Sequence, residues 1–387
     1  MKARRCAMVK WTFLVSAALL AYHYVLYPAL VIGGAKLARR QSPPPPPKWP
    51  TVTFVVAAYN EERVIADKLR NTLALDYPKD ALEVIVVSDG SNDRTEAIVS
   101  SFAPQGVVSL HEPPRRGKTA ALNRAVKRAG GEVVIFSDAN NDFSPDSIRM
   151  LVRHFTDPRV GGVCGAKRIK PAADRQSSVG DGLYWRYESA VKFAESRLGT
   201  ITNADGEIFA VRRQLYRPVA EHIINDDAQI TLDLVGQGYR VLYEPEARSY
   251  ELASIRIQDD FHVKVRMVAG GFQTLAENSA VLFPLRSWFA WAFFSHKTLR
   301  WLAPLFLILA LVASAALSAE PLYLTTLIAQ LGFYGLALAG YLRIDRGTLP
   351  TSMYVPFYFT TMNMAALLGL LRFLRRRQTV QWRKAAR

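Results

Sequence analysis

The stretch EVVIFSDANNDFSPD, residues 132–146, begins as an apolar run and ends in a cluster of oxygen-bearing side chains. The run has the β-branched and aromatic content of a buried strand. The cluster that follows it consists of Asp138, Asn140, Asn141 and Asp142. Asp and Asn are common turn formers, so this stretch alone is also consistent with an ordinary turn.

Strand-like and helix-like patterns alternate on both sides of this stretch. Residues 51–59, TVTFVVAAY, predict one strand and residues 82–89, LEVIVVSD, predict another, and residues at helical spacing follow each. This alternation predicts an α/β fold with a doubly wound, mostly parallel sheet. The residues at or just beyond the ends of these strands are Asn60, Glu61, Asp89 and Asp138. Because ligands bind at the carboxyl ends of strands in such sheets, the coincidence favours a binding site over unrelated turns.

Motifs for two common nucleotide-binding folds are incomplete in the sequence. AAYNEERVI, residues 57–65, contains no glycine and cannot form the G-x-G-x-x-G turn that binds a dinucleotide. RRGKTAALNRA, residues 115–125, lacks the first glycine of a P-loop. Carboxylates instead accept hydrogen bonds from a base and from ribose hydroxyls, and they hold a divalent cation that bridges phosphates. A sugar joined to a nucleotide by a diphosphate requires all of these contacts.

Four long apolar blocks indicate a membrane protein. Residues 11–32 contain no Lys, Arg, Asp or Glu and are long enough to cross a bilayer as a helix. No small-residue cleavage site follows them, so they predict an uncleaved anchor. Three further blocks lie at residues 301–319, 322–342 and 353–371. We therefore expect a soluble domain joined to a multi-pass membrane part.

Much of the net charge of +16 lies beside these blocks. This placement suits anionic headgroups, and no nucleic-acid-binding signature accompanies it, so we expect membrane lipids and no nucleic acid as partners. Two cysteines, Cys6 and Cys164, imply neither a disulfide framework nor a zinc site.

Residues 281–300 are rich in aromatic and basic residues. They predict an amphipathic region in the headgroup zone, with an ordinary buried helix as the alternative.

Seven motifs of the soluble part resemble the family 2 glycosyltransferases of GT-A fold, most closely the membrane-bound branch that includes cellulose, chitin, hyaluronan and poly-N-acetylglucosamine synthases. In chain order they are AAYNEE, VVSDGSNDRT, RRGKTAALNRA, FSDANNDFSPD, NADGEIFAVRR, INDDAQITLDLVGQGYRVLYEPEA and VKVRMVAGGFQ. The set covers roughly residues 51–275 and is far more specific than any single motif. The resemblance implies transfer of a hexose or N-acetylhexosamine from a UDP-sugar to a glycan or lipid-linked acceptor, with inversion.

These patterns and the resemblance divide the chain into six segments. They are an N-terminal transmembrane anchor (1–35), a Pro-rich linker (36–50), a GT-A glycosyltransferase domain (51–280), the interfacial amphipathic region (281–300), C-terminal transmembrane helices (301–375) and a basic tail (376–387). Five consecutive prolines make the linker a stiff spacer between the anchor and the domain.

The resemblance assigns the nucleotide to the ends of the first strands. Ala57, Tyr59 and Glu61 would line the pocket for the base and ribose. Asp89 would accept a hydrogen bond from the uracil, and Lys118 would lie near the diphosphate.

A metal site is implied where the sequence DAN replaces the D-x-D of the family. Asp138 would face the ribose and a bound Mg²⁺ or Mn²⁺, and Asn140 would stand where the second metal-binding Asp usually stands. An amide oxygen ligates Mg²⁺ but brings no negative charge, so the cation should bind more weakly than between two carboxylates. Asp142 offers compensation, although a turn or helix start explains its segment at least as well.

The resemblance also assigns the groups that carry out the transfer. Asp227 matches the base that deprotonates the acceptor, and Asp226 either completes the pair or caps a helix. Arg266 falls on the arginine of the Q-x-x-R-W motif and suits the leaving diphosphate. Val263 and Met267 replace the Gln and Trp of that motif, and these replacements bear on processivity more than on glycosyl transfer.

Sugar nucleotides are cytoplasmic, so we expect a multi-pass protein of the inner (plasma) membrane with its catalytic domain in the cytoplasm. Four crossings then leave both basic termini outside, against the positive-inside tendency, so the sides of the termini stay open. Three activities compete at this stage. They are polysaccharide synthesis with an accessory export subunit as a further partner, single addition to a lipid carrier or diacylglycerol, and nucleotide sensing by a catalytically silent membrane protein.

Overall fold

The computed structural model describes residues 2–38, 43–170, 177–252, 257–279, 283, 286–344 and 349–376. All six segments predicted from sequence lie partly outside the described residues: residue 1 of the anchor, 39–42 of the linker, 171–176, 253–256 and 280 of the GT-A domain, 281–282 and 284–285 of the interfacial region, 345–348 of the C-terminal helices and 377–387 of the basic tail. The interpretations of those residues stay predictions.

An eight-stranded sheet forms the centre of the soluble part. Its strands are β1 (Val52–Ala58), β2 (Leu82–Asp89), β3 (Val107–Glu112), β4 (Val133–Asp138), β5 (Asn141–Phe143), β6 (Val160–Lys170), β7 (Phe209–Arg212) and β8 (Arg240–Leu252). They lie in the order β3-β2-β1-β4-β7-β6-β8-β5.

The first four strands are parallel, and the sequence predicted β1, β2 and β4 but did not assign β3. In register, Ala57 of β1 lies beside Val87 of β2 and beside Asp138 of β4, so the carboxyl ends of these strands meet at one edge. The second half of the sheet is mixed, because β7 is antiparallel to β4 and β6, and β5 is antiparallel to β8. With three and four residues, β5 and β7 are too short to give a pattern in the sequence. The predicted α/β class with a doubly wound sheet is confirmed.

Apolar residues fill both faces of the sheet. Phe54 and Val56 of β1 belong to one buried cluster, whereas Val55 between them belongs to the cluster on the opposite face. Successive side chains of a strand point to opposite faces, and both faces are covered here, which explains why β1 is a continuous apolar run. Burial of each such side chain contributes roughly 1.5–3 kcal/mol.

Helices cover the sheet and extend into the apolar ends of the chain. Those of the soluble part are α3 (Ile65–Leu73), α4 (Thr95–Ser100), α5 (Lys118–Arg128), α6 (Ser147–Val152), α7 (Ser177–Leu198), α8 (Asp226–Gly236) and α9 (Ile257–Glu277). Those of the apolar ends are α1 (Lys2–Ala21), α2 (Tyr27–Leu37), α10 (Trp288–Phe293), α11 (Leu299–Ala316), α12 (Pro321–Arg343) and α13 (Thr351–Leu374).

Among the described residues, four helical segments are long and apolar enough to cross a membrane: Arg4–Leu37, Trp288–Ala316, Pro321–Arg343 and Thr351–Leu374. The first two are continuous helices because a π-helical turn joins their halves, at Tyr22–Leu26 between α1 and α2 and at Phe294–Thr298 between α10 and α11. The two turns touch, since Nδ1 of His23 lies 2.9 Å from the carbonyl oxygen of Ser295. A π-turn of this kind frequently marks a functional position in a helix.

The segment with the mixed aromatic and basic pattern is part of the second of these helices. His296 and Lys297, which the pattern placed in the headgroup zone, are buried in protein, with 0% and 8% of their surfaces exposed. They pair with the carboxylates of α7, since Nδ1 of His296 lies 2.7 Å from Oε1 of Glu195 and Lys297 binds Glu188. Residues 289–299 are buried or half-buried against protein, which favours the buried-helix alternative for them, whereas Trp288 is exposed. Sequence could not distinguish the two, because the neutralising carboxylates lie about a hundred residues away.

Helix α13, the last of the four helices apolar enough to cross a membrane (below, membrane-type helices), packs directly on the soluble part. The rings of Phe272 on α9 and Phe373 on α13 stack with centroids 5.9 Å apart. A Cβ on Gly369 would approach Val268 to 2.8 Å, so only glycine allows α13 to lie this close to α9. This contact fixes the helix that carries Arg266.

Candidate active site

The base and ribose residues predicted from sequence lie at the carboxyl end of β1. Ala57 is the penultimate residue of β1, and Tyr59 and Glu61 lie in the turn beyond it. The guanidinium of Arg115 lies 3.7 Å from the centroid of the Tyr59 ring. Asn60, between Tyr59 and Glu61, has a φ of 54°, in the left-handed region that Asn tolerates better than most residues. Sequence reasoning missed Arg115, although it directly precedes the Arg-Gly-Lys sequence that was singled out.

Asp89 organises the loop that leads to Lys118. Its carboxylate is 1% exposed, and it accepts hydrogen bonds from the backbone N–H groups of Arg116 at 2.9 Å and Gly117 at 2.8 Å. Gly117 has a φ of 107°, which an L-residue with a side chain would adopt only with strain. Helix α5 begins directly after it, so this loop sets where Lys118 enters the cleft. Each carboxylate oxygen keeps a second lone pair for a ligand.

Lys118 joins the two acidic sites predicted from sequence. Its Nζ lies 2.7 Å from Oδ1 of Asp138, which is the last residue of β4. Burial opposes the charged ammonium, but Asp138, Asp226 and Asp227 together raise the pKa of Lys118 above its ordinary value. The ammonium is therefore held in its charged form at the centre of the cleft.

Asn140 faces a carboxylate that the sequence did not assign to the site. Its Nδ2 donates a hydrogen bond of 2.7 Å to Oε1 of Glu251, and Lys167 binds both Glu251 and Glu207. Burial raises the pKa of Glu207 to about 7 although Lys167 opposes the shift. Asp142, the proposed compensating ligand, pairs instead with Lys170.

The donor set at Asp138 fits a divalent cation only together with a ligand. Among the described residues, no three His, Cys, Asp or Glu side chains are close enough to hold a metal by themselves. Asp138 supplies one carboxylate, and Asn140 turns its amide oxygen away from Glu251. Mg²⁺ is commonly bound by one or two carboxylates plus substrate phosphates, so this pair suits a cation that arrives with a diphosphate.

Asp226 and Asp227 are the first two residues of α8. Asn225 occupies the N-cap position, so Asp226 is not the cap that the alternative interpretation allowed. Oδ1 of Asp227 accepts the Ala228 N–H at 2.7 Å, and Oδ2 accepts the Gly206 N–H at 3.2 Å. Burial and the neighbouring Asp226 raise the pKa of Asp227 to about 6 although Lys118 opposes the shift. A carboxylate with such a pKa is well matched to proton abstraction near neutral pH.

Arg266 completes the cleft from the α9 side. Burial lowers the pKa of Arg266, while Asp226, Asp227 and Asp138 favour its charged form. Its guanidinium thus lies within electrostatic reach of both acidic sites. Within the described part of the chain this guanidinium makes no hydrogen bond and no ion pair, which leaves its donors available to a phosphate. Met267 beside it is 39% exposed.

The structure thus brings five of the predicted site residues around one cleft. These are Lys118, Asp138, Asp226, Asp227 and Arg266, and the base and ribose residues lie at the adjacent strand ends. Four residues that the sequence analysis did not assign lie next to these groups. Glu251 bonds Asn140 and pairs with Lys167, Lys167 also pairs with Glu207, and Asp205 directly precedes Gly206, which bonds Asp227. Asp205 and Glu207 belong to the motif NADGEIFAVRR, to which no role had been assigned.

Comparisons with known proteins point to the glycosyltransferases. A family model described as glycosyl transferase family 2 matches residues 53–219. Poly-β-1,6-N-acetyl-D-glucosamine synthase of Staphylococcus aureus (strain COL) is 29% identical over 231 residues, which are 58% of this chain and 55% of that protein. The same enzyme of Staphylococcus epidermidis is 27% identical over 229 residues, with the same two shares, 58% and 55%. The chain therefore spans about half the length of the curated relatives it matches.

A solved structure is similar along almost the whole chain. It is the mannosyltransferase PcManGT from Pyrobaculum calidifontis in complex with GDP-Man and Mn²⁺, with a TM-score of 0.72, 25% identity, and coverage of 95% of this chain and 100% of that chain. The sheet with its acidic strand ends defines a domain of the glycosyltransferase class with GT-A fold. Within that class, residues 53–219 match glycosyl transferase family 2, and apolar helices lie at both ends of the chain.

Proposed function

We propose that this protein is a membrane-embedded, inverting glycosyltransferase. It moves a hexose or N-acetylhexosamine from a UDP-sugar to a growing glycan in polysaccharide synthesis. One observation carries the proposal: the Asp227 carboxylate, with its raised pKa, shares a cleft with Lys118 and Arg266. The similarity to poly-N-acetylglucosamine synthases supports a glycan acceptor.

The cleft residues suit each part of such a reaction. Asp227 takes the proton of the acceptor hydroxyl while that oxygen attacks the anomeric carbon from the face opposite the diphosphate. The bond between the anomeric carbon and the diphosphate oxygen breaks, and UDP leaves with the electron pair. Lys118 and Arg266 stabilise the charge that develops on the diphosphate. Asp138 and Asn140 would hold Mg²⁺ or Mn²⁺, which neutralises diphosphate charge when bound.

A second candidate function is single addition to a lipid carrier or diacylglycerol. The observation behind it is that the structure similar over 95% of this chain is named a mannosyltransferase and not a polysaccharide synthase. That structure contains GDP-Man, so GDP-mannose is the second donor to test. In either case we propose that the catalytic domain faces the cytoplasm at the inner membrane, because sugar nucleotides are made there.

Transfer assays on the purified protein test the proposal. Incubation with labelled UDP-sugars and with GDP-mannose, followed by sizing of the product, separates long polymer, short glycolipid and no transfer. Asp227→Asn should leave UDP affinity nearly unchanged and lower kcat by about 10²-fold or more, the usual contribution of a general base. Asp233→Asn, on the same helix but outside the cleft, is the matched control and should keep wild-type turnover. Wild-type turnover by Asp227→Asn would assign the base to another residue.

A further inference from the structure

A tight turn of the NADGEIFAVRR motif touches the proposed base. The N–H of Gly206 donates to Oδ2 of Asp227 at 3.2 Å. A Cβ on Gly206 would lie 3.3 Å from Cβ of Asp227 and 3.6 Å from Nζ of Lys118. The position of this turn therefore determines how the Asp227 carboxylate is oriented.

Asp205 fixes the turn through two contacts of its own. Its Oδ1 accepts a hydrogen bond from Nζ of Lys192 at 2.8 Å, and its N–H donates to Sγ of Cys164 at 3.1 Å. The side chains are 2% exposed for Lys192 and 15% for Asp205. Since a buried charge is stable only when it is paired, this ion pair couples the turn tightly to helix α7.

Helix α7 is itself held by the membrane-type helix that begins at Trp288. Glu188, Lys192 and Glu195 lie on one face of α7, because residues three and four apart are neighbours on a helix. Nη1 of Arg300 lies 2.8 Å from Oε2 of Glu188. His296 binds Glu195 on the next turn. Lys192 therefore stands on a helix whose position is fixed on both sides of it.

We propose that Lys192 is a positioning residue for Asp227, acting through Asp205 and the Gly206 N–H. The pair holds the turn against the base, so that the carboxylate keeps one orientation toward the acceptor. This inference rests on the proposed function, because it requires Asp227 to act as a base. It gives the NADGEIFAVRR motif a role, and it links the start of a membrane-type helix to the chemistry through three successive contacts.

The charges around Asp227 predict how the pH profile of kcat should shift in each variant. The titratable and charged groups that interact with Asp227 are Asp226, Lys118, Asp205, Arg266 and Cys164. Asp205 contributes to the raised pKa of Asp227, and Lys192 balances the charge of Asp205. Removal of the Lys192 charge alone should therefore move the acidic limb of the kcat profile to higher pH. Removal of the Asp205 charge should move that limb to lower pH.

The test compares kcat, KM and pH profiles of full-length variants in detergent. Lys192→Met should lower kcat by about 10²-fold, the typical effect of a displaced catalytic group, with KM for the UDP-sugar unchanged. Lys192→Arg should restore most of the lost kcat, because it keeps the ion pair. The matched control is Arg153→Met, which removes the cation of another largely buried ion pair, with Glu244, that has no contact to Asp227.

The outcomes separate this inference from the proposed function. If Lys192→Met and Arg153→Met give the same kcat and the same acidic limb, the positioning role is wrong while the wild type still transfers sugar. If Lys192→Met does not fold, Asp205→Asn carries the test, since it keeps the side-chain size. An acidic limb that stays in place or rises in Asp205→Asn overturns the inference. A wild type that transfers no sugar from any of the nucleotide-sugars overturns both.

Discussion

The amide nitrogen of Asn140 donates a hydrogen bond of 2.7 Å to Oε1 of Glu251, a residue 111 positions away in the chain. A carboxylate can only accept, so the amide nitrogen must be the atom that faces Glu251. The amide oxygen is thereby directed away from Glu251. An Asp at this second D-x-D position would instead place its carboxylate against the carboxylate of Glu251.

Substitution of Asn140 by Asp should lower the thermal stability of the protein and raise its affinity for a divalent metal. The new carboxylate would face Glu251, and this repulsion between like charges should lower the Tm when no metal is present. Mn²⁺ should bind more tightly to Asn140→Asp than to the wild type, because the site gains a negative charge. Thermal unfolding with and without Mn²⁺, together with Mn²⁺ titration in the presence of UDP, measures both effects.

Two further variants serve as references for this metal prediction. Asp138→Ala should abolish both Mn²⁺ binding and transfer. Asn278→Asp changes an asparagine that bonds Gln229 outside the cleft and should alter neither. Identical Mn²⁺ titrations in Asn140→Asp, Asp138→Ala and the wild type would show that the stretch after β4 is only a turn.

The pH dependence of kcat should show an acidic limb near pH 6. The pKa of Asp227 is raised to about 6, and a base must be deprotonated, so turnover is retained above this pH and lost as the pH falls through it. Glu207, with its pKa raised to about 7, titrates in the same range. Glu207→Gln separates the two groups: a limb that stays in place identifies Asp227, and a limb that disappears assigns it to Glu207.

Loss of the Glu188 carboxylate should destabilise the protein strongly. The side chain is 3% exposed and binds Lys297 and Arg300, so Glu188→Gln removes the carboxylate that neutralises the buried Lys297 and pairs with the partly buried Arg300. We expect a decrease of about 3–5 kcal/mol in the free energy of unfolding, measured by denaturant titration in detergent. Asp67→Asn removes a solvent-exposed pair with Arg70 and should cost less than about 1 kcal/mol. Equal effects of the two substitutions would contradict the buried pairing.

The effect of Glu188→Gln on the free energy of unfolding should depend on pH. Burial opposes the charged carboxylate, but Lys297, Arg300 and His296 hold the pKa of Glu188 well below its ordinary value of 4.5. A depressed pKa in the folded state stabilises the protein above the unfolded value, and this contribution is lost as the pH falls through the folded value. The difference between wild type and Glu188→Gln should therefore be constant above pH 4.5 and shrink below it.

Reconstitution in sealed vesicles should distinguish the two candidate products. Polymer synthesis predicts glycan inside the lumen, protected from added glycosidase, when UDP-sugar is supplied only on the catalytic side. Polar and aromatic residues of α12 and α13, such as Tyr334, would contact such a sugar chain, whereas Gln330 and Asn363 donate to Ser314 and to the carbonyl of Phe359. Short glycolipids confined to the outer leaflet would instead identify the single-addition enzyme. Asp227→Asn in the same vesicles reports the background.

The sequence predicted the sheet edge well because β1, β2 and β4 are long, apolar and followed at once by acidic residues. Asp138 and Asp89 could be placed together from strand order alone. The contact of Asn140 with Glu251 could not, because it depends on the antiparallel register of the three-residue β5 on β8. The pair of Lys192 and Asp205 depends on which face of α7 is buried, and α7 has polar residues on that face. Pairing of buried charges is a tertiary property without a local pattern.

The buried charges between α7 and the helix that begins at Trp288 limit how the catalytic domain can be produced. Truncation after residue 280 would remove His296, Lys297 and Arg300, and truncation before residue 51 would remove Tyr27, whose hydroxyl donates to Glu195 at 2.6 Å. Glu188 and Glu195 would then lie on an uncovered surface, beside apolar residues such as Val191 that α2 normally covers. A soluble fragment of residues 51–280 would therefore be prone to aggregate. Expression of the whole chain in detergent or nanodiscs is the sounder route to an active preparation.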